Sequence, residues 1–289
     1  MRMGQNSAAE RQGESDWPAA SGAEEGLGLR ERALRGLPLD GVLVIDDHIH
    51  LGPHAGFYQP NSSAAALVRT MDRIGIDQAC VFSTLAVVSD MRGGNDLSLA
   101  AARAFPDRLL AYAVPDPNQP EQVKDELQRC LDAGARGIKF HTQLHGYPFD
   151  GPRYEPAFEL ADAHRLPLIS HGVGSPETLR RVARAYPGAH FIVAHVGAGG
   201  AGAPGDALLR VAAEEPNVYL DVASSVARFG AFAEVVRVVG AGKVLYGSDT
   251  PWMCFTHQIG RVLLAPISED DKRRILGQNL ATLLKQGPR

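Results

Sequence analysis

Cysteine is scarce in this sequence, and the few cysteines present lie far apart. The 289 residues contain three, Cys80, Cys130 and Cys254, and no CxxC pair is among them. An odd number of widely spaced thiols argues against a disulfide framework and against a thiolate zinc site. We therefore expect the protein to work in a reducing compartment, the cytoplasm.

Long apolar runs and clusters of one charge are also lacking. No uncharged stretch approaches the roughly 18 to 20 apolar residues of a membrane span, and the N-terminal region has no apolar core of a secretory signal. The formal net charge is only -4, and the Lys and Arg residues are scattered. Neither nucleic acid nor a membrane is therefore an expected partner. A small molecule is the better expectation.

The first forty residues differ in composition from the remainder. Residues 1–40 begin with a polar stretch rich in Gly, Ser, Ala and Glu, which predicts a disordered leader. A short helix is expected near 27–37. The whole chain is 45% hydrophobic and 21% charged, as in an ordinary globular protein. We therefore predict one folded domain over 41–289.

Short β-branched runs alternate with amphipathic runs throughout that domain. The pattern predicts eight strands, over 42–48, 78–83, 109–114, 136–141, 167–171, 190–195, 218–223 and 243–247. It predicts eight helices, near 63–75, 95–105, 120–133, 154–165, 175–186, 205–215, 229–239 and 269–285. Strict alternation gives parallel strands, and eight such units close into a barrel of about 250 residues. We therefore predict an α/β fold, a (β/α)8 TIM barrel. An open doubly wound sheet is the alternative, but no Gly-rich phosphate loop follows a predicted strand.

Histidines and carboxylates gather at the carboxyl ends of the predicted strands, where TIM-barrel active sites are built. The first strand ends in Asp46-Asp47-His48-Ile49-His50, and strand alternation would place Asp46, His48 and His50 on one face. Other strands end in Lys139 and His141, in His171, in His195 and just before Asp249. Two imidazoles two residues apart can hold a metal ion, and parallel strands ending on one side would supply its remaining ligands.

These motifs together resemble the amidohydrolase superfamily, specifically the amidohydrolase-related branch that includes the aminocarboxymuconate-semialdehyde decarboxylase group. The resemblance extends over 41–289. It rests on Asp46-x-His48-x-His50, Gly137-Ile138-Lys139-Phe140-His141, Ser170-His171-Gly172, Ala194-His195-Val196-Gly197 and Tyr246-Gly247-Ser248-Asp249-x-Pro251-Trp252. It implies an enzyme that uses one divalent metal ion. We expect zinc, with manganese as the alternative.

The resemblance also implies roles for individual residues. The metal would be held by His48, His50, His171 and Asp249, with Asp46 orienting these ligands. Proton transfer would fall to His195 and Asp249.

The remaining positions are open to two interpretations. In two-metal branches of the superfamily a strand-four lysine is carboxylated and bridges the ions, and the strand-six histidine then binds the second ion. Lys139 and His195 could do this here. We expect one metal instead, with Lys139 binding a substrate carboxylate, and with His141 and Trp252 also lining the substrate site.

The leading functional expectation is a metal-dependent hydrolase of a small carboxylated ester, lactone or amide. The alternative is a metal-dependent, non-oxidative decarboxylase of an aromatic or unsaturated acid, although many aromatic-acid decarboxylases of the branch carry glutamate where this chain has His48. A third interpretation is a catalytically silent binding barrel. A homodimer is expected from the fold class alone.

Overall fold

The computed structural model describes residues 26–54, 56, 58, 59, 61–195, 206–223 and 230–287. Within them, eight parallel strands lie side by side in chain order. They are β1 (Ile45–Leu51), β2 (Gln78–Ser83), β3 (Leu109–Ala113), β4 (Gly137–His141), β5 (Pro167–His171), β6 (His190–Val193), β7 (Val218–Asp221) and β8 (Val244–Leu245). The backbone N–H groups of β1 and of the segment after β8 tie the sheet's two edges together, as in Asp249 N–H to His48 O at 2.8 Å. The sheet is thus a nearly closed barrel, and the TIM-barrel prediction is confirmed.

Helices separate the strands, as strict alternation requires. They are α1 (Leu29–Arg35), α2 (Ala64–Ile74), α3 (Thr84–Val88), α4 (Met91–Ala104), α5 (Pro120–Asp132), α6 (Thr142–His145), α7 (Glu155–His164), α8 (Pro176–Ala185), α9 (Asp206–Glu214), α10 (Ala231–Val239), α11 (Phe255–Leu263), α12 (Glu269–Arg273) and α13 (Asn279–Gln286). The helix expected near 27–37 is α1, whereas residues 1–25 of the predicted leader lie outside the described residues. No described helix is long and apolar enough to span a bilayer.

Three helices were not expected from the sequence, and one begins earlier than expected. Helices α3, α6 and α11 follow β2, β4 and β8 in regions where the sequence predicted neither a strand nor a helix. Helix α4 begins at Met91, where the Asp90 side chain accepts the Gly93 N–H at 2.9 Å. Gly93 and Gly94 lie in the part of this helix that precedes the predicted range, and Gly94 is needed for packing. A Cβ there would collide with the Ala86 backbone of α3.

The last predicted helix, 269–285, is divided. A π-helical turn, Arg274–Gln278, separates α12 from α13. Its Gly277 lies so close to the Leu43 carbonyl that a Cβ would collide with it, so the chain before β1 packs directly on this turn. The Ile275 carbonyl of this turn also accepts the Tyr246 N–H at 3.0 Å, so the turn packs against both the chain before β1 and the chain after β8.

A bulge in β1 changes which of its side chains point inward. The pairing of β1 with β2 shifts between Asp46 and Ile49. Ile45 packs in the interior cluster with Phe82, whereas Ile49 packs in the outer cluster against the helices. Both residues would share one face in a regular strand. The prediction that Asp46 and His48 share one face assumed that side chains alternate regularly along β1. The bulge interrupts this alternation.

Candidate metal centre

The carboxyl ends of β1, β6 and β8 bring three potential ligands together. One donor atom each from His48, His195 and Asp249 lies within 4.8 Å of the other two. His50 joins them, since its Nε2 is 3.2 Å from Asp249 Oδ1. His195 and Asp249, which the sequence placed at the ends of two other strands, thus lie beside the His48–His50 pair. Of the expected ligands, this cluster contains His48, His50 and Asp249, and it adds His195.

His171, the fourth expected ligand, reaches the cluster through ring contacts. Its ring centroid lies 4.5 Å from that of His195. On the other side it stacks on His141, with centroids 4.2 Å apart and planes 15° apart. The five strand-end histidines are therefore contiguous.

The backbone is unusual at two of these positions. His195 has φ 62° and Asp249 has φ 57°, and they are two of the three non-glycine residues with positive φ in the described chain. This left-handed conformation costs of order 1 kcal/mol or more for a residue with a Cβ. It turns the chain sharply just after β6 and β8, so that both side chains stay beside His48.

The ring of His48 is held by a carboxylate from β7. Asp221 Oδ2 lies 2.6 Å from His48 Nδ1, and both side chains are fully buried. With Nδ1–H donating to Asp221, the Nε2 lone pair faces the other ligands. This is the usual arrangement of a metal-binding histidine and its supporting carboxylate.

Asp221 takes the role that sequence reasoning gave to Asp46. Asp46 Oδ1 instead accepts the backbone N–H groups of His48 and Ser248, each at 3.0 Å. Asp46 therefore ties β1 to the segment after β8 and does not contact the His48 ring nitrogens. Asp221 ends β7, so the strand-end rule that found the histidines would also have found it.

Burial keeps the imidazoles neutral. Loss of solvent lowers the pKa of His48 and His50 well below the ordinary value, and lowers the pKa of His171 and His195 to about 4. Burial also raises the pKa of the Asp249 carboxyl, against the opposing effect of His195. Neutral imidazole is the metal-binding form, so four rings are available as ligands at neutral pH.

The donor set fits a divalent metal. Asp249 Oδ1 is buried and makes no hydrogen bond with any described residue, although two imidazole nitrogens lie near it. A buried carboxylate oxygen without a hydrogen bond is costly, and a cation would stabilise it. Neutral imidazoles with a carboxylate suit zinc, manganese or a similar ion.

Lys139 lies inside the barrel. It is fully buried, its Nζ is 2.9 Å from His48 Nε2, and it sits 4.3 Å from the Phe82 ring centroid. Burial lowers the pKa of Lys139 to about 8, although Asp249 opposes this. The His48 Nε2 lone pair cannot accept this amine's proton and bind a metal ion at the same time.

We expect the Lys139→Met variant to bind one metal ion at least as tightly as the wild type. The substitution removes a competing donor and a nearby positive charge. Elemental mass spectrometry and a chelator-competition Kd measure the result, with Lys124→Met at an exposed position of α5 as the control. A fall from two ions per chain to one would contradict this expectation and indicate a bridging carboxylated lysine.

Two predicted substrate contacts lie at the edge of the cluster. His141 Nδ1 accepts the Leu144 N–H at 3.3 Å, which places the ring proton on Nε2. Trp252 stacks on His50, with ring centroids 3.8 Å apart and planes 17° apart. It is 6.5 Å from the ring of His141. Trp252 thus contacts a predicted ligand directly, and a substrate contact by His141, Lys139 or Trp252 stays a prediction.

Comparisons with known proteins identify the family of this chain. A family model described as amidohydrolase matches residues 45–285. A search of curated protein sequences finds no match.

Solved structures share the fold. An uncharacterised TIM-barrel protein from Bordetella bronchiseptica has a TM-score of 0.70 at 19% identity, covering 86% of this chain and 100% of that one. A dihydroxybenzoic acid decarboxylase from Polaromonas, with bound manganese and the inhibitor 2-nitroresorcinol, has a TM-score of 0.68 at 18% identity, covering 84% and 97%. A 5-carboxyvanillate decarboxylase from Novosphingobium aromaticivorans, with manganese and a nitrobenzoic acid, has a TM-score of 0.67 at 18% identity, covering 85% and 96%.

Proposed function

We propose that this protein, which belongs to the amidohydrolase family, is a metal-dependent decarboxylase of a small aromatic or unsaturated carboxylic acid. The observation that carries the proposal is the cluster of His48, His195 and Asp249 at the mouth of the barrel. It combines a candidate metal site with two groups that can carry a proton. The similar folds of two manganese-containing decarboxylases of aromatic acids support this choice of reaction over hydrolysis.

Four side chains would hold the ion, namely His48, His50, His171 and Asp249. When bound, a divalent ion would act as a Lewis acid that orients the substrate's oxygens and stabilises developing negative charge. Asp221 keeps the His48 ring in the tautomer that such an ion needs. Manganese and zinc are both compatible with these donors.

Asp249 and His195 would move the proton. In decarboxylation the bond between the carboxylate and its carbon breaks, carbon dioxide leaves, and the electron pair on that carbon takes a proton. The Asp249 carboxyl group, beside the cluster's imidazoles, would supply the proton that the carbon receives. His195 Nδ1–H donates to Ala223 O at 3.0 Å, so the Nε2 lone pair is free to relay a proton.

The aromatic surroundings suit a flat substrate. Trp252 lies against His50 and is partly exposed, so a planar acid beside the cluster would meet an aromatic ring surface.

Hydrolysis is the second candidate, and the His48-x-His50 opening favours it. Many aromatic-acid decarboxylases of the resembling branch carry glutamate at the first of these positions. The same metal centre could serve a hydrolase of a carboxylated ester, lactone or amide by lowering the pKa of water.

We expect carbon dioxide release to distinguish the two reactions. Metal-free protein loaded with Mn²⁺ or Zn²⁺ is incubated with hydroxybenzoic and dienoic acids while carbon dioxide is measured, and with lactones and esters while released acid is titrated. Carbon dioxide from an aromatic or dienoic acid, absent in the His48→Ala variant, supports decarboxylation. Acid release alone supports hydrolysis, whereas a protein that takes up no metal and turns over nothing would be a silent barrel.

A further inference from the structure

The two histidines of the β1 motif are held in place by different means. His48 Nδ1 has Asp221 as its partner at 2.6 Å. His50 is equally buried, at 1% exposure, yet its Nδ1 has no hydrogen-bond partner among the described residues. Metal-binding histidines almost always donate their second ring N–H to a carboxylate, carbonyl or water, which fixes the ring's orientation. Among the described residues, contacts of another kind hold the His50 ring.

Two aromatic side chains contact that ring. Trp252 stacks on it, with centroids 3.8 Å apart and planes 17° apart. Phe82 meets it edge to face, with centroids 4.6 Å apart and planes 76° apart. Phe82 is the residue opposite His50 in the β1–β2 register, so the sheet itself sets this contact.

Backbone hydrogen bonding holds the Trp252 segment against β1. The His50 N–H donates to Thr250 O at 2.8 Å, and Ile49 forms a bridge with Thr250. Trp252 follows Thr250 by two residues, and it follows Asp249, a candidate ligand, by three. The chain that brings Asp249 to the centre therefore also lays the indole on the imidazole.

We propose that Trp252 is a positioning residue of the metal centre, whose indole fixes the plane of the His50 ring in place of the hydrogen bond that Asp221 provides to His48. A stacked ring restricts rotation of the imidazole about its bond to the chain without engaging either nitrogen. His50 Nε2 then stays near Asp249 Oδ1, 3.2 Å away. The inference rests on the proposed metal-dependent function.

The test measures Mn²⁺ affinity without substrate, by chelator competition, in wild type, Trp252→Leu and Trp252→Phe. Leucine keeps the position apolar but has no flat ring, and we expect Trp252→Leu to bind about 10-fold or more weakly, the usual effect of removing a group that orients a ligand. Phenylalanine can still stack, so Trp252→Phe is expected within about threefold of wild type. The Asp221→Asn variant, measured in the same way, tests the carboxylate that holds the His48 ring. Melting temperatures of the metal-free variants confirm that they fold.

A double-mutant cycle identifies the residue through which Trp252 acts. In a His50→Gln background, Trp252→Leu should no longer change the Mn²⁺ affinity. Electron paramagnetic resonance measures this affinity even when binding is weak. If Trp252→Leu does not fold, Trp252→Met, apolar and without a ring, makes the same comparison.

Three results would overturn this inference and leave the proposed function standing. They are unchanged Mn²⁺ affinity in Trp252→Leu, an equal loss of affinity in Trp252→Phe, or a loss of affinity that persists in the His50→Gln background. Unchanged affinity with lost turnover would make Trp252 a substrate contact. If wild-type protein binds neither Mn²⁺ nor Zn²⁺, the proposed function fails together with this inference.

Discussion

The His48→Ala variant should lose most of its metal. The wild type is expected to carry about one ion per chain, and the variant close to none. His48 occupies the centre of the site: its Nε2 lies 3.4 Å from Asp249 Oδ1, and its ring is 4.8 Å from that of His195 and 5.5 Å from that of His50. Removing it also leaves the buried Asp221 carboxylate without its ring partner. The centre therefore loses a ligand, and Asp221 no longer has a ring to orient.

Metal content and thermal stability measure this effect. Elemental mass spectrometry gives the ions per chain, and melting curves of chelated protein with and without added Mn²⁺ or Zn²⁺ give the stabilisation. An ion that binds only the folded state raises the melting temperature, because its ligands converge only in the barrel. This rise should disappear in His48→Ala. His164→Ala, at an exposed position of α7, is the matched control and should keep both the ion and the rise. A His48→Ala protein that still holds one ion would contradict the assignment of this ligand.

The His195→Ala variant should keep the ion and lose turnover. The Nδ1–H of His195 is committed to the Ala223 carbonyl, and His195 Nδ1 lies 4.0 Å from Asp249 Oδ2. Because Nδ1–H donates to that carbonyl, the Nε2 lone pair is the site at which this ring can take up or release a proton. Loss of such a group costs typically 10²–10⁴-fold in rate, so we expect kcat to fall at least about 100-fold while the metal content stays near one.

Metal content separates this role from that of a ligand. His195 is close enough to His48 and Asp249 to be a ligand itself. A variant with half the wild-type metal would therefore contradict the proton-transfer role and indicate a second ion held by His195. Asn at position 195 provides the conservative comparison, because its amide can donate to the Ala223 carbonyl but cannot relay a proton. His195→Asn should thus keep the ion and remain as slow as His195→Ala.

Much of the barrel was predictable because it depends on local patterns. Each strand is a short apolar run, and the eight observed strands all overlap the predicted ones. Parallel strands direct their carboxyl ends to one side of a barrel. For that reason His48, His171, His195 and Asp249 could be expected to meet although they are far apart in the chain, and the family motifs added their expected roles.

The helix boundaries were predicted less well, because neighbouring elements set them. The helix predicted from residue 95 begins at Met91, and Gly94 lies inside it, where its missing side chain makes room for α3. Local propensity cannot report such a contact, since it depends on which helix packs alongside.

Within the site, the sequence alone determined which residue types stand at the strand ends, since that follows from the order of residues along each strand. Only the tertiary structure decided which partner each side chain has. The β1 bulge separates Asp46 from the face of His48, and Asp221 crosses from β7 to hold the His48 ring. Trp252 lies on His50, and Lys139 is buried beside His48. These contacts join residues far apart in the chain. Their distances depend on how the closed barrel packs, which no local pattern records.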